Sequence, residues 1–443
     1  MSSTSPRPAS ALSALAAALL MALPASAWAQ SLQEVYDAAR VYDATYLAAK
    51  ASAASAEYRT AQSEALAKPT LALTGALTTA QTDPPKVGVK SLTTGSAALN
   101  GRYPIFNRAN GYTIEQARKA LVTAQADLDS AEQDLIVRVA QAYFDVLAAQ
   151  DALATTRANK AGTSEQLASA KRNFEVGTAT ITDTREAQAK FDLGTAQELA
   201  AENDLRTKRI ALDTLVGRAS VAPKPLLTPV LLPAPLPANA EEWVTVGDLQ
   251  HPSVRRARVG LDVATLETGK ARAAELPTVD AIASLGGSNI RGSATGLPGT
   301  TSTASIGMQL NMPLYTGGAT QGRIKETLLL EEKSRNDLEA ARRGVAQGTR
   351  VAYFGVQSGL AQVKALEAAE SSSKLALEAT QLGYKVGVRV NLDVLNSQTQ
   401  LFTTQRDLAK ARYDVLLGGL KLRQASGQLQ ASDLDAVNRL LSK

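Results

Sequence analysis

Cysteine is absent from the 443 residues, histidine occurs once, and aromatic residues make up only 4% of the chain. Without cysteine there is no disulfide, no thiolate metal ligand, no cysteine nucleophile and no site for a lipid anchor. The single His251 has no second histidine with which to build a metal site, and because Pro252 follows it we expect it to begin a helix. No paired-carboxylate, phosphate-loop or nucleophile-elbow pattern is present. The sequence therefore predicts neither an enzyme nor a bound cofactor.

Long apolar runs are also missing after the first 29 residues, which have the pattern of a secretory signal peptide. Arg7 supplies a positive start, residues 11–23 form a short apolar run, and Ala27 and Ala29 flank a small-residue cleavage site before Gln30. A spanning helix needs about 20 apolar residues, which makes an N-terminal anchor the weaker interpretation. The mature chain is therefore expected to be exported, as a periplasmic, a secreted or a β-barrel outer-membrane protein.

Charge of one sign is not concentrated anywhere in the chain. The formal net charge is +5, and acidic and basic residues are interspersed rather than grouped. Such a pattern is typical of solvated helix faces, and a nucleic-acid partner is not expected.

The sequence repeats itself at a constant offset of 210 residues, seen in the pairs Phe144 and Phe354, Gly177 and Gly387, and Asp183 and Asp393. A chance likeness between two alanine-rich regions would not preserve one offset across separated segments. We interpret the chain as a tandem duplication. Its expected parts are a first repeat (30–222), a proline-rich connector (223–240), a second repeat (241–427) and a C-terminal tail (428–443) that belongs to an equatorial region.

Each repeat contains a strand pair, expected at 69–106 and 277–315, in which apolar and polar residues alternate. Ala304, Ile306 and Met308, for example, alternate with Ser305 and Gly307. Tilted outer-membrane strands need about 9–11 residues, which these segments provide. Four strands cannot close a barrel, since the smallest have about eight, and open edges in lipid leave backbone groups unpaired. Several chains must then pool their strands; a soluble, half-buried sheet is the other interpretation.

Coiled-coil patterning dominates the rest of each repeat. Leu401, Leu408, Val415 and Leu422 recur every seven residues. Between 107 and 173 only Gly111, near the start, and Gly162, near the end, interrupt the helical pattern, which predicts a helix on the order of 100 Å long. A helix of this length spans a distance and is not an element of a globular core.

Two segments, NFEVGTATITD (173–183) and GYKVGVRVNLDVL (383–395), together with this layout, resemble the TolC family of outer-membrane factors. The resemblance implies a mainly α protein with a membrane β-barrel. A homotrimer would pool four strands per protomer into a twelve-stranded barrel in outer-membrane lipid, continued by a long coiled-coil tunnel in the periplasm. The implied function is passive export of drugs, small molecules or proteins, as in type I secretion. The implied partners are a periplasmic adaptor and an ABC or RND transporter of the inner membrane. A periplasmic coiled-coil adaptor is the alternative.

The resemblance also assigns roles at two helical tips, near 174–183 and 384–393. Thr182 and Asp183 match acceptors, and Tyr384 and Arg389 match donors, of contacts between neighbouring coils that close the entrance until the tips open like an iris. Asp183 and Asp393 equally suit helix caps. Asp393 matches one of two acidic rings of the family, whereas Asn396 replaces the second, which implies weaker cation binding. The residues expected to contact the partner are Val176, Gly177, Val386 and Gly387.

Overall fold

The computed structural model describes residues 29–83, 90–227, 229–292 and 299–442. The expected signal peptide, apart from Ala29, lies outside these ranges, as do the loop residues Pro84, Pro85, Leu297 and Pro298. The helices are α1 (Leu32–Tyr42), α2 (Ala44–Glu64), α3 (Arg108–Glu175), α4 (Ile181–Val216), α5 (Ala240–Gln250), α6 (Pro252–Ala273), α7 (Ala319–Lys385), α8 (Asn391–Ala425) and α9 (Asp433–Asn438). The strands are β1 (Thr70–Thr82), β2 (Lys90–Phe106), β3 (Thr278–Gly292) and β4 (Gly299–Asn311).

The strands form one antiparallel sheet in the order β1-β2-β3-β4. The central pairing of β2 with β3 joins the two repeats, and it places Leu99 opposite Leu285. The register shifts between Pro104 and Phe106, because proline has no N–H to give to the ladder. In the second repeat the strand ends at Asn311, ahead of Pro313. Met312 and Leu314, which the sequence pattern placed in the alternating strand, therefore lie beyond it.

Helices α3 and α7 contain 68 and 67 residues, which corresponds to a length on the order of 100 Å each. Helix α3 packs along α4, α7 packs along α8, and α3 also packs along α8. Nearer the sheet, α6 lies between α3 and α7, and α2 packs on α3. The seven-residue repeat of α8 is buried along its whole length, which confirms the coiled-coil prediction. Within the described ranges, no helix is both long enough and apolar enough to cross a bilayer.

The largest cluster of buried side chains lies at mid-height, where short elements surround the long helices. Its members come from α1, the middle of α3, the ends of α4 and α8, and the tail, and include Leu32, Tyr36, Leu135, Tyr143, Leu212, Leu420 and Leu434. The connector is attached here by Tyr143, whose hydroxyl donates to the Gln30 carbonyl at 2.9 Å and accepts from the Lys224 N–H at 2.8 Å. This region ties the tail and connector to the long helices.

His251 begins α6, as the sequence predicted. Its Nδ1 accepts a hydrogen bond from the Ser253 N–H at 3.1 Å, and Pro252 takes the first helical position, where a missing N–H costs nothing. Burial lowers the pKa of His251, so the neutral imidazole that can accept this bond is favoured.

Candidate functional site

One face of the sheet is apolar and exposed. The register places Leu73 opposite Leu99, and Leu99 opposite Leu285. On the two outer strands, Leu73 is 77% exposed and Ile306 is 89% exposed. A contiguous apolar patch of this kind marks a surface that meets a membrane or a partner. The alternative of a half-buried soluble sheet is not supported, because nothing in the described chain covers this face.

The opposite face is polar, and hydrogen bonds between small side chains connect its neighbouring strands. Asn100 donates to the Thr74 hydroxyl at 3.1 Å, and the hydroxyls of Ser284 and Ser305 are 2.8 Å apart. Such a face is compatible with water. The sheet thus separates an apolar exterior from an aqueous side, as strands in an outer-membrane barrel do.

Two edges of the sheet are open. Among the described residues, β1 pairs only with β2, and β4 pairs only with β3. An unpaired strand edge presents a row of free backbone N–H and C=O groups. In lipid these groups have no water to bond to, so the edges require partner strands.

The two helical tips share one backbone geometry. Gly177 and Gly387 have φ of +78° and +81°, a conformation in which a side chain is strained. In each turn a backbone N–H bonds back to the helix: Thr178 to the Asn173 carbonyl at 2.8 Å, and Val388 to the Gly383 carbonyl at 2.9 Å. This pattern closes the end of α3 and of α7 in the same way. Val176 and Val386, beside the glycines, are 73% and 65% exposed.

The tips differ in how the next helix begins. At α4 the N-cap is Thr180, whose hydroxyl accepts from the Asp183 N–H at 3.2 Å, while Asp183 Oδ2 accepts from the Thr180 N–H at 2.9 Å. This reciprocal arrangement is a capping box. At α8 the corresponding residue is Val390, which has no side-chain acceptor. Asp393 instead pairs with Arg389 across 3.6 Å.

Within the described part of one chain, neither Tyr384 nor Arg389 bonds to Asp183. The Tyr384 hydroxyl accepts from the Asn173 side-chain amide at 3.2 Å, which links the two helical hairpins near their tips. Thr182 is exposed in the first turn of α4, and Asn396 is exposed one turn beyond Asp393 in α8.

Sequence reasoning assigned no role to Asn173 or Gly383, which occupy equivalent positions 210 residues apart. A Cβ at Gly383 would lie 2.8 Å from Arg389 Cγ, so glycine allows the arginine stem to pack on the helix end. Each residue supplies the carbonyl that closes its turn. Their shared offset was the signal in the sequence that could have identified them. In the described ranges, no group of three or more acidic or histidine side chains could hold a metal ion.

An exposed apolar sheet face, two open strand edges and two helices on the order of 100 Å long define one protomer of an outer-membrane channel. Comparison with known proteins extends this to a family. Residues 35–218 and 248–428 match the model of the outer membrane efflux protein family, and the chain belongs to it.

Individual relatives agree with this assignment. The outer membrane protein TolC of Vibrio cholerae is 33% identical over 423 residues, covering 95% of this chain and 96% of the relative. The alkaline protease secretion protein AprF of Pseudomonas aeruginosa is 36% identical over 313 residues, which are 70% of this chain and 64% of the relative. Among solved structures, CusC matches with a TM-score of 0.77 at 18% identity, over 90% of this chain and 92% of that one.

These findings confirm the predicted class, fold and outer-membrane location. The family is one of passive channels for efflux and secretion, and the alternative of a periplasmic adaptor has no support.

Proposed function

We propose that three copies of this chain form a homotrimeric duct, in which β1 of each copy pairs with β4 of the next to close a twelve-stranded barrel. The open strand edges carry this proposal, because each unsatisfied backbone group in lipid costs several kcal/mol. A barrel of twelve strands lies well within the range of known outer-membrane barrels, whereas four strands do not.

The helical layer supports the same assembly. Phe144 is 2% exposed in the first repeat, whereas its duplicate Phe354 is 56% exposed on α7, a helix at the edge of the layer. Exposed apolar residues also follow the other edge helix, α4, at Leu199 and Ile210. A neighbouring copy would cover both edges.

The assembly can be tested by light scattering of the protein in detergent and by disulfide trapping. Since the chain has no cysteine, introduced pairs report without background. Cysteines placed singly along β1, each combined with Ser305→Cys in β4, should give cross-linked dimers and trimers at matching registers. The control is Asn100→Cys with Ser305→Cys, which lie on strands separated by β3 and should not cross-link. A well-folded monomer would contradict the proposal.

The proposed duct receives its cargo from an inner-membrane ABC or RND transporter through a periplasmic adaptor, and the tips are the proposed contact. Relatives named for alkaline protease secretion and for efflux favour this role. At the tips, exposed Val176 and Val386 lie beside Gly177 and Gly387 and offer an apolar surface without a partner in the described chain.

Copurification of the adaptor from membranes tests this contact. Val176→Asp with Val386→Asp should abolish copurification while the trimer survives. The matched control is Val41→Asp, at an equally exposed valine of α1 far from the tips. Retention of the adaptor by the tip variant would place the contact elsewhere.

The entrance is proposed to be closed by Tyr384 and Arg389 of one coil bonding to Thr182 and Asp183 of the neighbouring copy. The cap at Asp183 uses only Oδ2, which leaves Oδ1 able to accept from another chain. Arg389 is exposed, and its pair with Asp393 is long at 3.6 Å, so its guanidinium can be shared. Asp393 supplies one acidic ring of three carboxylates, and Asn396 supplies none.

A further inference from the structure

The strands carry few charges, and the register assigns each of them to a face. In the described residues of β1–β4 the charged side chains are Lys90, Arg102, Asp280 and Arg291. Arg102 and Asp280 lie on the polar face, two residues after Asn100 in β2 and four residues before Ser284 in β3. Arg291 is opposite Thr93, on the same face as Leu99 and Leu285. Lys90 is on the polar face at the loop end of β2.

Arg102 and Asp280 form an ion pair in which the two side chains are exposed to very different extents. Arg102 Nη2 is 2.6 Å from Asp280 Oδ2, yet the arginine side chain is 63% exposed and the aspartate side chain only 7%. The other carboxylate oxygen, Oδ1, is buried and has no hydrogen-bond partner in the described chain. The Arg102 guanidinium is therefore in contact with water on the polar side of the sheet, whereas the Asp280 carboxylate is shielded from that water.

The pair sits at the base of the barrel. Arg102 is four residues before the end of β2, which leads into α3. Asp280 is the third residue of β3, which follows α6. Cargo leaving the helical tunnel for the barrel passes this level. The other residues that lie near this pair on the same face of the sheet are uncharged, for example Thr70, Ile282 and Gln309.

We propose that, in the trimer proposed above, on which this inference rests, three Arg102 side chains form a cationic ring that favours anions and acidic cargo. Asp280 sets the strength of this ring, because it neutralises part of each guanidinium charge from behind. Ion selectivity is then shaped at two levels of the duct: by Asp393 near the entrance and, with opposite sign, by Arg102 at the base of the barrel.

The size of the effect follows from Coulomb's law. A unit charge roughly 7 Å from a passing ion, in water with a dielectric constant of about 80, changes the local ion concentration about threefold. Screening at 0.1 M salt reduces this to about twofold, and at 1 M, where the screening length is about 3 Å, the effect nearly vanishes. The selectivity should therefore depend on salt in a defined direction.

The test is the reversal potential of the purified trimer in planar bilayers under a KCl gradient near 0.1 M. Asp280→Asn should raise the chloride-to-potassium permeability ratio about twofold, since the guanidinium loses its counter-charge. Arg102→Gln should shift the ratio in the opposite direction, and Arg102→Lys should retain the wild-type ratio. Arg291→Gln, on the apolar face at the far end of β3, is the matched control and should leave the ratio unchanged.

A conducting trimer whose ratio is unchanged, or shifts in the same direction, in Asp280→Asn and Arg102→Gln would overturn this inference and leave the proposed duct intact. If Arg102→Gln does not assemble, Asp280→Asn and its salt dependence decide alone. A wild-type protein that forms no trimer would overturn both proposals.

Discussion

The proposed entrance contacts make a quantitative prediction for the double variant Arg389→Ser with Tyr384→Phe. The variant would remove the proposed bond from Arg389 to Asp183 of the neighbouring copy and the observed pair with Asp393, and position 384 would lose the hydroxyl that accepts from Asn173 at 3.2 Å. The first change removes the cation, and the second removes a hydroxyl without changing the ring. Both residues lie at the turn and outside the buried coiled-coil positions of α8, so the trimer should survive.

The magnitude follows from exposure. Arg389 and Asp393 are 62% and 38% exposed, and pairs of this kind contribute about 0–1 kcal/mol each. Three copies around the entrance then contribute about 0–3 kcal/mol to the closed state, and a bias of about 1–3 kcal/mol changes an equilibrium about 5- to 150-fold. Contacts near the upper end of this range would hold a resting channel mostly closed, and partner contacts at the tips could still overcome them.

Single-channel conductance in planar bilayers, measured beside the trimer melting temperature, tests this reasoning. The double variant should open more often or more widely, and Asp183→Ala should reproduce much of the effect because both donors lose one acceptor. The matched control is Lys410→Ser, which removes an exposed pair with Asp414 on the same helix, far from the tip. Unchanged conductance in an intact trimeric double variant would show that other contacts hold the entrance closed.

Three further predictions concern helix caps and the entrance. Asp43 caps α2 and binds Arg138 through two hydrogen bonds of 2.9 Å. Asp43→Ala should therefore lower the free energy of unfolding, measured by denaturant, by about 2–4 kcal/mol. Asp43→Asn should lower it less, because the amide oxygen can still cap the helix. Because burial lowers the pKa of His251, its contribution to stability is present above about pH 6.5 and is lost as the pH falls through the folded-state pKa. His251→Asn keeps a cap acceptor that does not titrate, so the melting temperature should fall less between pH 7.5 and pH 5 than in wild type; equal losses would contradict the cap argument. Asn396→Asp should restore a second acidic ring and lower the concentration of multivalent cation that blocks the channel, and an unchanged concentration would mean that residue 396 does not line the entrance.

Much of the fold could be predicted because its strands and helices produce local periodic patterns in the sequence. The alternation around Ile306 and the seven-residue spacing from Leu401 reflect which side chains share a face, and both patterns are local. The end of β4 was misjudged because the alternation continues to Leu314, while Pro313 interrupts the backbone pairing that defines a strand.

Contacts between distant segments could not be predicted in the same way. Arg102 and Asp280 are 178 residues apart, and their pairing depends on the β2–β3 register. Phe144 and Phe354 are duplicates in sequence, but one is buried and the other exposed, because the repeats occupy different places in the helical layer. The positions of Tyr384 and Arg389 against Asp183 of another copy remain a prediction, as do the domain boundaries.

The unequal helix starts at Thr180 and Val390 have a consequence for symmetry. Three copies would present six tips in a circle, alike in backbone but alternating in chemistry: a carboxylate that caps its own helix at one, and a carboxylate paired with arginine at the next. In the proposed trimer, the duplicated tips would therefore form a surface that is sixfold in backbone shape and threefold in charge. A partner ring of six identical subunits would have to bind two kinds of site in alternation, and any single substitution at a tip would alter every second contact and leave its neighbours as they were.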